Sequence, residues 1–372
     1  MNIEVDKPYQ FAVIVLLAIG AVGFSLINTP QGANTEGIDV MNETEAIEMK
    51  QGQYDRAKPL VDPTGFINVD NISIEENIGE KVILLDMWTY SCINCQRTFP
   101  HLKEWHRKYR DDGLLIIGNH APEFDFERKR SNVVDAAEKY NLTYPIVLDN
   151  NYGTWNAYNN RYWPQKYLIG VDGFIRYERI GEGRYDQTEQ KIRELLKELK
   201  RRKGLDPTLT DEIDQNFEEE QLDSTDVESE KVRTPEIYFG AYRNEYLENG
   251  RNGTTGIQNF TAPESLEKNK LYLDGEWNIR EEYAEASSDA EILLNYEAKR
   301  VNMVLEGENA TIQVYQDGGV ISESAGRDVE NGKISVDDEQ LYNLVENSEY
   351  GEHELRIEVE SGNLKAYTFT FG

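Results

Sequence analysis

The apolar residues of this chain fall into successive patterns, and each pattern predicts a different kind of element. From about Pro59 to Gly204, continuous apolar runs alternate with amphipathic stretches. "KVILLDMW" from Lys81, "LLIIGNHA" from Leu114 and "YPIVLD" from Tyr144 are of strand length and suit strands buried inside a sheet. Between the last two, Asn132 to Tyr140 reads as helix. "QKYLIGVDGFIRYERIG" holds two strands joined at Val171-Asp172-Gly173, a hairpin signal. A helix closes the segment. Asp186 and Glu189 form its expected capping box, Ile192, Leu195, Leu196 and Leu199 share one face, and basic Lys200 to Lys203 precede Gly204. Strands alternating with helices and ending in a hairpin predict an α/β sandwich.

Beyond Gly204 the pattern changes twice. Asp206 to Glu230 carries eleven acidic residues and no Lys or Arg, which reads as a self-repelling linker. From Thr234, short alternating segments such as "AEILLNYEA", "RVNMVLEG", "HELRIEVES" and "LKAYTFTFG" are separated by turns like Asp317-Gly318 and Asn331-Gly332. Regular short strands with little helix predict an antiparallel β-sandwich. At the other end, Phe11 to Ile27 contains no charged residue, the short end of what spans a bilayer, roughly 17–25 residues. Ala21-Val22-Gly23 suits signal-peptide cleavage, but Glu4 and Asp6 spoil the positive flank, so the expectation is an uncleaved anchor. Lys7 before the segment, with no Lys or Arg until Lys50, places the bulk of the chain outside the cytoplasm.

Length and charge narrow the functional class. At 372 residues two domains are expected, and 69 acidic against 39 basic side chains disfavour nucleic acid as a partner. Six N-x-S/T sequons, starting at Asn42, Asn71, Asn141, Asn252, Asn259 and Asn309, permit surface glycosylation. Only two cysteines are present, Cys92 and Cys95, so stability must come from packed cores. Both sit just after the first buried strand, where a helix should begin. Unpaired N–H groups at a helix start stabilise a thiolate, so Cys92 is the expected nucleophile. Cys95, one turn inward, is placed to resolve the adduct. Zinc needs four ligands and no second cysteine pair exists, so no metal or cofactor is expected. A structural disulfide closing so short a loop would add little.

"LLDMWTYSCINC" resembles the active-site stretch of the thioredoxin family. Asp86, Trp88 and Pro100 stand where that resemblance puts the buried acid, the active-site tryptophan and the helix-kinking proline. Trp163-Pro164 matches the cis-proline that faces the disulfide. The inserted helix and "YPIVLD" strand are similar to the TlpA-like branch, in which an acid near the disulfide corresponds to Glu123. "WTYSCINCQRTFPH", "HAPEFDFE", "YPIVLDNNYGTWNAYNNRYWPQKYLI" and "AYTFTFG" resemble the DipZ type, which pairs a thioredoxin-like domain with a carbohydrate-binding-module-like β-sandwich. DipZ-type proteins also carry a multi-span CcdA-like electron carrier. Here a single hydrophobic segment stands in that place, so the resemblance implies a membrane electron donor on a separate chain.

The expected organisation is an anchor or signal over 1–30, a tether over 31–54, a thioredoxin-like domain over 55–204, an acidic linker over 205–232 and a β-sandwich over 233–372. The expected function is an extracytoplasmic thiol–disulfide oxidoreductase. Cys92 and Cys95 exchange electrons, Asp86 relays the proton, and Trp88, Trp163, Pro164 and Glu123 line the substrate side. The spacer Ile93-Asn94 brings no positive charge to deepen the thiolate, which favours reduction of protein disulfides. Arg97 reads as an exposed residue that steers acidic partners. As a buried, unpaired acid, Asp86 could be replaced by Asn without loss of stability. Two alternatives share the residues. A thiol peroxidase is disfavoured because Leu85 stands where its motif needs proline. A surface-binding protein would use Tyr238, Tyr242, Trp277, Tyr296 and Tyr315 to stack on a glycan, though such aromatics also suit a core.

Overall fold

The computed structural model describes residues 50–208, 210 and 231–372. The apolar segment at Phe11 to Ile27 and nearly all of the acidic run lie outside the described residues. Among the described residues no helix is long and apolar enough to cross a membrane.

The first region runs β1 (Gly65–Ile67), β2 (Val82–Trp88), α1 (Ile93–Gln96), α2 (Phe99–Tyr109), β3 (Leu114–His120), α3 (Arg130–Lys139), β4 (Ile146–Leu148), α4 (Gly153–Ala157), β5 (Gln165–Ile169), β6 (Ile175–Ile180) and α5 (Tyr185–Arg202). Its sheet has the order β1-β4-β3-β2-β5-β6. β2 pairs parallel with β3 and antiparallel with β5, so it sits inside the sheet and all seven of its residues are buried. That burial explains the unbroken apolar run, and the arrangement is a thioredoxin-like α/β fold. Gly118 on β3 is required by packing: a Cβ there would stand 2.8 Å from the Trp88 indole nitrogen.

Helix breaks follow from local chemistry. Pro100 has no N–H to give, and the helical path is interrupted at Arg97 and Thr98, between α1 and α2. α2 buries Phe99, Leu102, Trp105 and Tyr109, while α5 buries Ile192, Leu195, Leu196 and Leu199. The capping box expected at Asp186 does not form. α5 begins after Arg184 in a left-handed conformation, and Glu189 instead accepts bonds from Trp105 Nε1 (3.2 Å) and the Tyr109 hydroxyl (2.5 Å). Tertiary donors outcompete the local cap.

The second region is β-rich: β7 (Ile237–Tyr238), β8 (Gly256–Phe260), β9 (Leu271–Ile279), β10 (Ala284–Ala286), β11 (Ala290–Gln316), β12 (Gly319–Val320), β13 (Lys333–Val336) and β14 (Gln340–Phe371). Every pairing between these strands is antiparallel. β11 and β14 bend and meet repeatedly. Residues 290–298 pair with 351–359, residues 301–305 pair with both 340–345 and 366–371, and residues 312–316 return to 355–359. Burial alternates along the start of β11, as strands with one covered face require.

The two regions share an apolar cluster. Val304, Leu341 and Tyr367 of the β-rich region join Trp88, Phe99 and Phe124 of the first. The Tyr367 ring stands edge-on to both Phe124 (5.0 Å) and Phe126 (4.9 Å).

Candidate active site

β2 ends at Trp88, and the chain turns through Thr89–Ser91 into Cys92, the N-cap of α1. The Cys92 carbonyl accepts from the N–H groups of Cys95 (3.1 Å) and Gln96 (3.0 Å), which locks the two cysteines one turn apart. Cys92 is partly exposed and Cys95 fully buried, both as free thiols. Burial, then the neighbouring Cys92, pushes the Cys95 thiol well above its usual range. The Cys92 sulfur lies 3.9 Å from the Trp163 carbonyl oxygen, and the Trp163–Pro164 bond that follows is cis. The Trp163 indole donates to the Ala121 carbonyl (2.9 Å), tying this loop to the end of β3.

Asp86 lies wholly inside, as β2 dictates. Across the β2–β5 ladder it faces Lys166, whose ammonium approaches Asp86 Oδ1 to 3.0 Å although Lys166 is only 2% exposed. Neither group has another hydrogen-bond partner among the described residues. Burial raises the Asp86 carboxyl above its ordinary range, against the opposing pull of Lys166. Asp86 is therefore a paired acid, and the expectation that Asn could replace it without loss of stability is withdrawn. Lys166 was not legible as a site residue, because it occupies an ordinary polar position of "QKYLIG".

Trp88 is buried, with its ring edge-on to Phe99 (5.3 Å) and to His120 (5.0 Å). It supports the site from below and offers no open surface. Glu123 faces the β-rich region: Arg243 Nη1 (2.7 Å) and the Tyr238 hydroxyl (3.0 Å) both donate to its Oε1. Arg97 is also not the exposed residue expected. It is buried, with its guanidinium bonded to Glu182 (3.2 Å) and to Asn94 Oδ1 (3.1 Å).

A second buried acid went unrecognised. Glu127 follows Phe124 by three residues and accepts that residue's N–H at 3.0 Å. It also takes the Ser91 hydroxyl at 2.7 Å and the Ser91 N–H at 3.2 Å, immediately before Cys92. A capping-box pattern would have flagged it, but phenylalanine stands where that pattern needs Ser or Thr.

The five aromatics expected to gather on the β-rich region are dispersed. Trp277 and Tyr296 are core, Tyr238 lies against Glu123, Tyr315 is covered by the Arg356 guanidinium at 3.6 Å, and Tyr242 alone is open.

Residues 67–178 match the AhpC/TSA family and residues 234–372 the thioredoxin like C-terminal domain family. The chain is 40% identical over 261 residues to protein DipZ of Mycobacterium bovis, a match covering 68% of this chain and 35% of that protein. It is 27% identical over 144 residues to thiol-disulfide oxidoreductase YkuV of Bacillus subtilis, covering 38% of this chain and 96% of that protein. A solution structure of a thioredoxin-like protein in the oxidized form is 25% identical, covers 39% of this chain and 97% of its own, and superposes with a TM-score of 0.37. The chain spans about a third of the length of the DipZ relatives it matches.

Proposed function

We propose that this chain, a member of the thioredoxin-like thiol–disulfide oxidoreductases, transfers two electrons from the Cys92–Cys95 dithiol to disulfides of protein substrates. The observation that carries the reading is the asymmetry of the pair: one thiol partly open beside the Trp163–Pro164 loop, the other fully buried. The Cys92 thiolate attacks a substrate sulfur, a mixed disulfide forms, and the first substrate sulfur leaves as a thiolate. Cys95 then passes its proton to Asp86 and attacks the Cys92 sulfur. The second substrate sulfur leaves, both sulfurs take up protons, and the cysteine pair is left as a disulfide. General-base help of this kind is worth roughly 10²–10⁴-fold.

The reading extends to a location outside the cytoplasm, anchored by the Phe11 to Ile27 segment, with a CcdA-like membrane carrier as electron source. It takes the β-rich region as a sandwich of the carbohydrate-binding-module type, supported by antiparallel strands that switch partners along their length.

The test uses the full chain with insulin as the disulfide substrate. Wild type should reduce insulin, Cys95→Ser should accumulate mixed disulfides, and Cys92→Ser should do neither. Iodoacetamide should label Cys92 faster than Cys95. Equal labelling of the two thiols, with no trapped adduct, would sink the reading.

A further inference from the structure

Glu127 has a place in the fold that the exchange chemistry above leaves unused. Its side chain is fully buried, and its two oxygens serve different pieces of chain. Oε1 takes the N–H and hydroxyl of Ser91, the residue that leads into Cys92. Oε2 takes the N–H of Phe124 and that of Glu123. All four partners donate, so the group works as an acceptor on both oxygens, which a carboxylate does and a carboxamide cannot. A buried carboxylate with this many charge-assisted bonds fixes the segments it joins.

The far side of the same loop is held by the β-rich region. Arg243 and Tyr238 grip Glu123, the Glu282 carboxylate accepts the Asp125 N–H at 2.9 Å, and Tyr367 packs against Phe124 and Phe126. The Arg243 guanidinium also covers the Tyr238 ring at 3.7 Å. A continuous set of contacts therefore runs from the β-rich region through residues 123–127 and Glu127 to Ser91 and Cys92.

We propose that Glu127 is a positioning residue for Cys92, and that the β-rich region sets the reactivity of Cys92 by holding the loop that carries Glu127. This rests on the reading of Cys92 as the attacking thiol. The second region is then part of the active site's scaffold. Releasing either end of the Glu127 bridge lets the turn before Cys92 relax, and the sulfur is no longer presented in one orientation to an incoming electrophile.

The experiment measures the rate of iodoacetamide alkylation of Cys92 in the reduced full-length chain at neutral pH, read peptide by peptide by mass spectrometry. Melting curves establish that each variant is folded at the assay temperature, so a loss of global stability alone leaves the rate unmoved. Glu127→Gln keeps the shape but turns one acceptor into a donor, and it should slow alkylation roughly tenfold. Ser91→Ala removes a single donor and should slow it less, in the same direction. If Glu127→Gln does not fold, Ser91→Ala carries the test. Arg243→Ala, in the β-rich region and bonded to Glu123, should also slow it. Wild-type rates in the Glu127 and Ser91 variants overturn the positioning role, and so does faster alkylation, which would mark Glu127 as a repelling charge. A wild-type rate in Arg243→Ala overturns the role of the β-rich region. Alkylation does not depend on turnover, so a wild-type chain unable to reduce insulin would sink the redox reading without deciding this one.

Discussion

In the first region Asp86, Arg97, His120, Glu127, Asp149, Lys166 and Lys200 are buried, and five of them lie in β2, β3, β5 or the loops that follow the strands. In the β-rich region no charged side chain is buried among the described residues. Its charges pair across strands on the outside, as in Lys365–Glu306 (2.7 Å), Arg356–Glu291 (2.7 Å) and Lys333–Glu360 (2.6 Å). The strands of the first region are the more apolar, an unbroken run in β2 against alternating positions in β11, so its buried charges do not come from a more polar strand composition. An interior charge is costly unless paired or bonded, and a fold keeps such groups where they are used. Where a region can send every charge to water, as the second does, its interior serves packing alone.

The contrast breaks most visibly at the Asp86–Lys166 pair. Removing one partner strands the other charge in the interior, at a cost of about 3–5 kcal/mol. Asp86→Asn and Lys166→Met should each lower the unfolding free energy by that amount in denaturant melts. Asp86→Leu combined with Lys166→Met should recover most of the loss, because an apolar pair needs no compensation. If Asp86→Asn alone melts like wild type, Lys166 does not depend on it and the pair is incidental.

His120 sharpens the comparison through pH. Burial holds its imidazole down at about 3 in the folded chain, from an ordinary 6.5. Below 6.5 the unfolded chain binds a proton that the folded chain refuses, so stability falls as pH drops from 6.5 towards 3 and is intact above that window. At pH 5 the loss from this one group is about 2 kcal/mol. His120→Phe, which keeps a ring against Trp88 and Tyr90, should flatten that part of the profile in melts at a series of pH values. His106, in the same region, is also held below its ordinary range by burial and adds in the same direction, whereas His353 of the β-rich region sits at the surface beside Asp317 (2.7 Å). An unchanged slope in the variant would assign the acid sensitivity to other groups.

The same division explains what could be read from the chain. β2 and β3 were legible because a strand covered on both faces must be apolar throughout, and the cysteine pair because its surroundings are local in sequence. Lys166, Glu127 and the inward turn of Glu189 were not. Each depends on a partner brought by register or packing: Asp86 lies eighty positions before Lys166, Ser91 well before Glu127, and Trp105 and Tyr109 on another helix. Glu123 and Arg97 misled for a related reason. A charged residue beside a proline or after a cysteine looks solvent-facing until a second element closes over it, here the β-rich region for Glu123 and the end of the β5–β6 hairpin for Arg97. Trp277 and Tyr296 show the reverse case, since alternation along a strand does not say which face is covered.

The smallest expected effect concerns the outer charges of the β-rich region. Lys365 and Glu306 pair at 2.7 Å with side chains about a third and a fifth exposed, and Glu306 keeps a second bond from the Tyr367 hydroxyl at 2.6 Å. Water already solvates much of this pair, so its charges gain little from each other. Lys365→Met should cost less than about 1 kcal/mol, and added salt should shrink even that, because exposed charges are screened over about 10 Å at 0.1 M. Glu306 is left with a donor, unlike Asp86 after loss of Lys166. The alkylation rate of Cys92 should stay at the wild-type value, since neither Arg243 nor the Glu127 loop is touched. A loss above about 2 kcal/mol that salt does not reduce would mean this pair behaves like the buried one. The distinction between a region that buries charge and one that keeps it outside would then fail at its mildest point.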